Sequence, residues 1–286
     1  MNKDFTEQRF ILDGVEIKFT TGGKGPPLLL LHGYPETRAT WNRVAPALAG
    51  RFTIVAPDLR GYGDGTVPPG ADFSKRAMAL DQVNLMTSLG YERFSVVGHD
   101  RGGRVAYRLA LDHPGRVDRL AVLDMVPTLD MWEMMDASMA MANYHWLFLA
   151  QPGGLPENLL GRDPDGYLDH TVLGWCGTPG ALDPVVAEYR RCFRRPEVIA
   201  AACGDYRAGA GIDRTHDAED RAAGRRIGCP VLALWAGGGT DGLSHDTLEI
   251  WRRWADDVSG HAIPCGHFLQ EEAPDEVARA LIAFFD

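Results

Sequence analysis

The chain has 286 residues, and 39 Asp and Glu against 29 Lys and Arg give it a formal charge of −10. This length suits one large domain with an insertion or two modest domains, and 45% apolar with 24% charged residues excludes disorder and collagen. An acidic chain is a poor partner for nucleic acid, because neutralising phosphates needs a basic surface. No apolar run reaches the roughly 18–20 residues of a membrane span. We therefore expect neither nucleic acid nor a membrane as a partner.

The predicted location is the cytoplasm. The first residues, MNKDFTEQR, lack the apolar core of a secretory signal. The five cysteines are odd in number and form no C-x-x-C pair, which suits reduced thiols better than a disulfide framework. These cysteines are Cys176, Cys192, Cys203, Cys229 and Cys265.

Short apolar runs alternate with helical patterns along most of the chain. The predicted strands are residues 9–12, 15–20, 27–31, 53–56, 94–97, 120–123 and 231–235. The predicted helices are residues 37–48, 74–89, 101–112, 244–255 and 275–285. This alternation favours an α/β fold with a mostly parallel sheet covered by helices on both faces. Residues 127–228 are mainly helical in pattern and rich in Gly and Pro, so we predict a helical cap inserted between core segments 1–126 and 229–286.

The motif with the most chemical content is GHDRG at residues 98–102, between a predicted strand and a predicted helix. It is the nucleophile-elbow pattern G-x-S-x-G with Asp100 in the place of the serine. The glycines are needed because the sharp turn leaves no room for neighbouring side chains. The turn presents Asp100 above the sheet, beside free helix N–H groups. The alternative is that Asp100 only caps the helix, since aspartate is a preferred N-cap residue.

Further groups occur at the places in the chain that such an elbow requires. The motif HGYP, with Tyr34 in third position, follows an apolar strand, and in α/β-hydrolases the backbone N–H groups of residues like Tyr34 and Arg101 form an oxyanion hole. His267 lies in GHF, just before the last helix. Two acids compete to be its partner: Asp124 after the strand that follows the elbow helix, and Asp241 in a glycine-rich loop. Nucleophile, acid and then histidine is the chain order of this fold.

The chain resembles the fluoroacetate (haloacetate) dehalogenases of the α/β-hydrolase superfamily from about residue 10 to residue 285. The segments that carry the resemblance are HGYPETRATW, PDLRGYGDG, VVGHDRGGRVAYRLALDHP, LDMVPT, NYHWLFLAQPGGLPENLLG, CGDYRAG and GHFLQEEAPDEVA. It implies an α/β-hydrolase fold with a helical cap, a hydrolytic enzyme and a homodimer. We expect no metal and no cofactor. Tyr34 stands where Phe is commoner, Gly65 replaces a usual Ser, and residues 236–241 are unusually glycine-rich with an extra acid. The resemblance favours Asp124 as the acid, whereas the general fold would allow Asp241.

The predicted chemistry follows from an aspartate in the nucleophile position. Asp100 is ionised at neutral pH, so it needs no base to displace a leaving group from an sp³ carbon, and an alkyl ester results. Water activated by His267 would then attack the ester carbonyl, while the N–H groups of Tyr34 and Arg101 hold the oxyanion. Asp124 would orient His267 and stabilise its imidazolium.

Arg101 and Arg104 lie three residues apart, on one face of the first helical turn. Cations oppose the helix dipole there, which makes sense if an anion docks between them. Two arginines could bind a substrate carboxylate bidentately and offset its repulsion by Asp100. The alternative is that both arginines pair with cap carboxylates for structure. The resemblance implies that the matching arginines bind the substrate carboxylate.

The resemblance also implies that His145, Trp146 and Tyr206 bind the leaving halide. An imidazole N–H, an indole N–H and a phenol O–H are neutral donors suited to an anion. Without the resemblance, the sequence around His145 and Trp146 would more often indicate cap core.

We therefore predict a hydrolase for small anionic 2-haloacids, fluoroacetate included, that yields a 2-hydroxyacid and halide. An epoxide hydrolase is the first alternative, but it should have two cap tyrosines converging on the epoxide oxygen and has no use for Arg101 and Arg104. A haloalkane dehalogenase would more often carry Trp in place of Arg101. A non-enzymatic ligand receptor on the same fold would not need an intact nucleophile, acid and base.

Overall fold

The computed structural model describes residues 5–237 and 247–286. Eight strands in these ranges form one sheet in the order β1-β2-β4-β3-β5-β6-β7-β8. The strands are β1 Phe5–Leu12, β2 Val15–Gly23, β3 Pro27–Leu31, β4 Thr53–Pro57, β5 Phe94–His99, β6 Val117–Leu123, β7 Val231–Ala236 and β8 Val258–Ile263. The pairs β1–β2 and β2–β4 are antiparallel, and every other pair is parallel. The expected mostly parallel sheet is therefore confirmed, with an antiparallel hairpin at one edge.

The apolar runs form strands because both faces of the sheet are covered. In β3, Leu28, Leu29, Leu30 and Leu31 are all fully buried. Successive side chains of a strand point to opposite faces, and Leu29 and Leu31 join one hydrophobic cluster while Leu28 and Leu30 join the other. A strand buried on both faces reads as a continuous apolar run, as β3 does.

Helices cover the sheet and fill the long stretch between β6 and β7. The helices of the core are α1 Ala45–Leu48, α2 Lys75–Ser88, α3 Asp100–Asp112, α12 Thr247–Arg252, α13 Leu269–Glu272 and α14 Pro274–Phe285. Those between β6 and β7 are α4 Thr128–Glu133, α5 Ala137–Ala142, α6 Tyr144–Leu149, α7 Leu155–Leu160, α8 Pro164–Trp175, α9 Val186–Phe193, α10 Pro196–Ala210 and α11 Ile212–Ala222. We refer to residues 127–228 as the insertion; its division from the core as a cap domain stays a prediction.

Two elements differ from the sequence-based expectation. The predicted helix 37–48 is wrong: a 3-10 helix, Arg38–Asn42, is followed by the separate short helix α1. Pro46 lacks an N–H group and so is tolerated in the first turn of a helix but not in its interior. Strand β8 was not predicted, because its sequence VSGHAI has no apolar run and most of its residues are exposed or half-buried at the sheet edge. No helix in residues 5–237 and 247–286 has the length and apolar character needed to cross a membrane.

Candidate active site

Asp100 lies at the sharp turn where β5 ends and α3 begins. Its backbone φ is +43°, a left-handed conformation that residues other than glycine rarely adopt. A Cβ atom on Gly98 would lie 2.4 Å from the carbonyl oxygen of Gly102, and one on Gly102 would lie 2.4 Å from that of His32. Both glycines of the motif are therefore required by backbone contacts, and the strained turn raises Asp100 above the carboxyl ends of the strands.

The backbone beside Asp100 supplies hydrogen-bond donors. The N–H of Tyr34 donates to Asp100 Oδ2 at 3.0 Å, and Arg101 is the second residue of α3, where backbone N–H groups have no partner within the helix. Burial alone would raise the pKa of Asp100, but the attraction of His267 and Arg101 outweighs it and lowers that pKa. The carboxylate is thus held in its ionised form.

His267 is held at one ring nitrogen and open at the other. Its Nδ1 lies 2.6 Å from Asp124 Oδ2, while its buried Nε2 has no hydrogen-bond partner in the described part of the chain. Asp124 is fixed in turn by the N–H of Ala236, which donates to Oδ1 at 2.7 Å. Because a carboxylate oxygen accepts, Nδ1 donates to Asp124, and Nε2 is the ring nitrogen left without a partner at the cavity. The competing acid Asp241 lies outside the described residues.

A buried network behind His267 was missed by the sequence analysis. His99 Nδ1 lies 2.9 Å from Glu36 Oε2, and His99 Nε2 lies 2.8 Å from the carbonyl oxygen of His267. Thr40 and Gln270 donate to the other oxygen of Glu36. Burial would lower the pKa of His99, but Glu36 outweighs it and raises that pKa to about 9. His99 is therefore an imidazolium that donates on both sides and holds the backbone of His267.

A cavity of about 50 Å³ lies between the elbow and the insertion. Its lining includes Asp100, Arg104 and His267 of the core and His145, Trp146 and Trp175 of the insertion. One water needs about 10–15 Å³ on such a measure, so the space suits a ligand of only a few non-hydrogen atoms. Asp100 and His267 thus face one small cavity.

The two arginines at the start of α3 have different partners. Arg101 binds Asp205 of the insertion through Nε and Nη2, while its Nη1 has no partner among the described residues. Arg104 donates from Nη1 to the carbonyl oxygen of Val126 at 2.7 Å, and its Nε has no partner in the same ranges. Both guanidinium groups converge on the ring of Trp146, with Cζ at 5.3 and 4.4 Å from its centroid. Pairing with a cap carboxylate therefore holds for Arg101 but not for Arg104.

Arg104 is an exception among the buried cations between the core and the insertion. Lys75, Arg101 and Arg108 each form ion pairs with aspartates of α10 or α11, whereas Arg104 forms none within residues 5–237 and 247–286. The aspartates are Asp205, Asp213, Asp217 and Asp220. Burial lowers the pKa of Arg104, and its neighbour Arg101 lowers it further. Since an uncompensated buried charge is costly, the cavity beside Arg104 favours an anion.

The three candidate halide ligands are all buried, but they do not all reach the cavity. His145 and Trp146 line it, and Tyr206 does not. The ring of Tyr206 packs against those of His145 and Trp146, with centroids 5.6 and 5.9 Å away. Burial lowers the pKa of His145 to about 3, so its imidazole is neutral, and its Nδ1 has no partner in the described chain.

Trp175 is a second residue that sequence reasoning missed. It ends α8 and lines the cavity. Its ring centroid lies 4.5 Å from that of His145 and 5.4 Å from that of His267. No motif marks it, because its neighbours in space are 30 and 92 residues away in the sequence.

Residues 26–274 match the family model described as the alpha/beta hydrolase fold. The chain belongs to the α/β-hydrolase family. This hydrolase is 46% identical to the fluoroacetate dehalogenase of a Burkholderia sp, over 97% of this chain and 93% of that one. It is 36% identical to the soluble epoxide hydrolase of Corynebacterium sp. (strain C12), over 100% and 99% of the two chains.

A solved structure agrees with this assignment. A protein of Nostoc sp PCC 7120, provisionally described as an alpha/beta hydrolase, superposes with a TM-score of 0.95 at 50% identity, over 99% of this chain and 98% of that one. The predicted fold and the prediction that the protein is an enzyme are therefore confirmed. The two curated relatives differ in the bond that they cleave, so the choice of substrate depends on the site of this hydrolase.

Proposed function

We propose that this hydrolase cleaves the carbon–halogen bond of fluoroacetate and related small 2-haloacids, and releases halide and a 2-hydroxyacid. The main support is Arg104, a buried cation at the cavity with no carboxylate partner among the described residues. A substrate carboxylate would compensate it. Arg101 does not line the cavity, but its guanidinium lies by the same Trp146 ring as that of Arg104, and it is the proposed second cation. The small cavity favours a substrate of haloacetate size.

In the first step, Asp100 attacks the carbon that bears the halogen. Asp100 Oδ2 accepts the N–H of Tyr34, so we assign Oδ1 as the attacking atom. As the new C–O bond forms, the carbon–halogen bond breaks and its electron pair leaves with the halide. His145, Trp146 and Tyr206 are the proposed halide donors, with Tyr206 the least direct of the three because it does not line the cavity.

In the second step, water hydrolyses the ester on Asp100. His267 Nε2 accepts a proton from water, and the water oxygen attacks the ester carbonyl carbon. The N–H groups of Tyr34 and Arg101 hold the oxyanion, and Asp124 stabilises the imidazolium through Nδ1. Cleavage of the ester C–O bond releases the hydroxyacid, whose leaving oxygen takes the proton of the imidazolium. The second proton of the water passes from the Asp100 carboxyl group to solvent, which restores the carboxylate.

An epoxide hydrolase is the second candidate, because the Corynebacterium relative has that activity and the same nucleophile would serve. Two tyrosines should then converge on the epoxide oxygen, yet no tyrosine of the described ranges lines the cavity. A neutral epoxide or haloalkane would also leave Arg104 without a counter-ion. A receptor without activity is the weakest alternative, since the chain belongs to an enzyme family.

The test compares anionic and neutral substrates. Halide release from fluoroacetate, chloroacetate and chloroacetamide is measured beside diol formation from a styrene-type epoxide. We expect turnover of the two haloacetates, and a kcat/KM for the neutral amide at least about a hundredfold lower, because the charge-assisted contacts with Arg104 and with Nη1 of Arg101 are lost. Asp100→Asn is the matched inactive control. Equal turnover of amide and acid, or diol formation faster than halide release, would contradict the proposal.

A further inference from the structure

A buried cluster of charged side chains joins the core to the insertion beside the elbow. Lys75, the first residue of α2, forms ion pairs with Asp205 on α10 and Asp213 on α11. Asp205 also binds Arg101, and it accepts the hydroxyl of Tyr62 at 2.8 Å. All five side chains are buried. The proposed mechanism uses only Arg101 of this cluster, so the others need a separate explanation.

Asp205 fixes the plane of the Arg101 guanidinium. Nε donates to Oδ2 at 3.2 Å, and Nη2 donates both to Oδ1 and, at 3.0 Å, to the main-chain oxygen of Asp205. A guanidinium bound by this fork cannot rotate without losing these contacts. Gly209 permits the close approach, because a Cβ atom there would lie 3.0 Å from Nη2. Tyr206 supports the group from its ring face, 4.3 Å from Cζ.

Lys75 also binds Asp205, so the Asp205 carboxylate does not neutralise Arg101 alone. A carboxylate bound to one arginine alone would neutralise it and leave little attraction for a second anion. Burial would raise the pKa of Asp205, but Arg101 and Lys75 together outweigh it and lower that pKa. The Asp205 carboxylate is thus ionised and shared between two cations.

We propose that Asp205 is the positioning residue for Arg101, and that Lys75 shares the Asp205 carboxylate so that Arg101 keeps charge for the carboxylate of the substrate. Asp205 belongs to the insertion and Arg101 to the core. Recognition of the substrate carboxylate therefore depends on the insertion being seated on α3. The inference rests on the proposed function, because it concerns the same carboxylate site.

The test uses Asp205→Asn, which keeps the size of the side chain but puts an NH₂ donor among donors. Removing an interaction that is equal in ground and transition states raises KM and leaves kcat nearly unchanged, so we expect KM for chloroacetate to rise at least about tenfold with kcat within about threefold. The dissociation constant of glycolate, measured by tryptophan fluorescence, should rise by the same factor. This second measurement does not depend on turnover.

Asp220→Asn is the matched control. It removes a buried carboxylate of the insertion from Arg108, which does not line the cavity, so KM and glycolate binding should match those of the parent. Gly209→Ala keeps every charge and favours the helix, but its methyl group would displace Nη2, and we expect KM to rise about threefold. If Asp205→Asn fails to fold, the KM of Gly209→Ala tests whether the position of the Arg101 guanidinium controls substrate binding.

Parent-like KM and glycolate binding in Asp205→Asn and Gly209→Ala, or equal effects of Asp205→Asn and Asp220→Asn, would overturn the inference. Failure of the proposed function has a different signature. In that case the parent enzyme itself neither releases halide from chloroacetate nor binds glycolate.

Discussion

Aspartate at position 100 divides the proposed reaction into two halves with different needs, because a carboxylate attacks carbon without a base whereas water requires one. His267→Asn should therefore release about one halide per enzyme and stop at a carboxymethyl ester on Asp100. Peptide mass spectrometry locates the adduct, and Asp100→Asn, which should release none, is the control. A His267→Asn protein that is folded but releases no halide would show that His267 acts before the ester forms.

The lowered pKa of Asp100 predicts how the first half responds to acid. A carboxyl group whose pKa lies below its ordinary value loses its charge only as the pH falls through that lower pKa. The first turnover of the parent enzyme, in which His267 is present to lower this pKa, should thus release its burst of halide at the same rate at pH 8 and pH 5, measured by rapid quench. A burst that slows between pH 7 and pH 5 would show that another titrating group controls the attack.

Trp146 lines the cavity and is the sharpest test of leaving-group stabilisation. Fluoride concentrates charge more than chloride and leaves from a stronger bond, so it depends more on donors that strengthen in the transition state. Trp146→Phe should lower kcat for fluoroacetate, and the loss should correspond to an increase of up to about 3–4 kcal/mol in the activation free energy. The loss for chloroacetate should be clearly smaller. Tyr206→Phe should have a smaller effect, since Tyr206 does not line the cavity. Equal losses for both substrates would mean that Trp146 only shapes the site.

At the scale of elements, the strand–turn–helix unit β5–α3 tolerates no side chain at its glycines. Gly98→Ala should reduce the free energy of unfolding by more than about 3 kcal/mol, because its Cβ would overlap backbone atoms that cannot move away. Gly115→Ala is the control, since a Cβ there meets nothing within 4 Å. Denaturant unfolding of both variants provides the comparison. Equal stabilities would show that the turn can relax.

This unit also shows what a sequence can predict. The elbow was recognisable because Gly98, Asp100 and Gly102 are close in sequence. Glycine at these two positions indicates a turn too tight for a Cβ atom. Strand β8 was not recognisable, because a strand at the sheet edge needs little apolar surface and its sequence has no apolar run. The pair of Glu36 and His99 was missed for another reason: its residues are 63 positions apart and meet only through the sheet. The two arginines were recognised, but their different partners depend on the packing of α10.

At the scale of the whole molecule, we expect some ion pairs between core and insertion to stabilise the fold without affecting substrate binding. Arg108 binds Asp217 and Asp220 and does not line the cavity. Arg108→Met leaves the buried Asp217 without a cation, while Asp220 keeps its ion pair with Arg225. Unfolding should therefore become easier by about 3–5 kcal/mol. Denaturant unfolding measures this, and KM for chloroacetate should stay at the parent value. A raised KM with unchanged stability would reverse the assignment. The homodimer and the cytoplasmic location stay predictions.

The insertion leaves the sheet from β6 and returns to it at β7, and these two strands are hydrogen-bonded neighbours. The two strands are parallel, so the insertion runs from the carboxyl end of β6 to the amino end of β7 as one crossover connection. About a hundred residues can therefore change without altering the strand order of the sheet. Asp100, Asp124 and His267, the proposed catalytic residues, lie outside the insertion and stay unchanged. Natural selection can in this way combine the same core residues with different insertions, each suited to another leaving group.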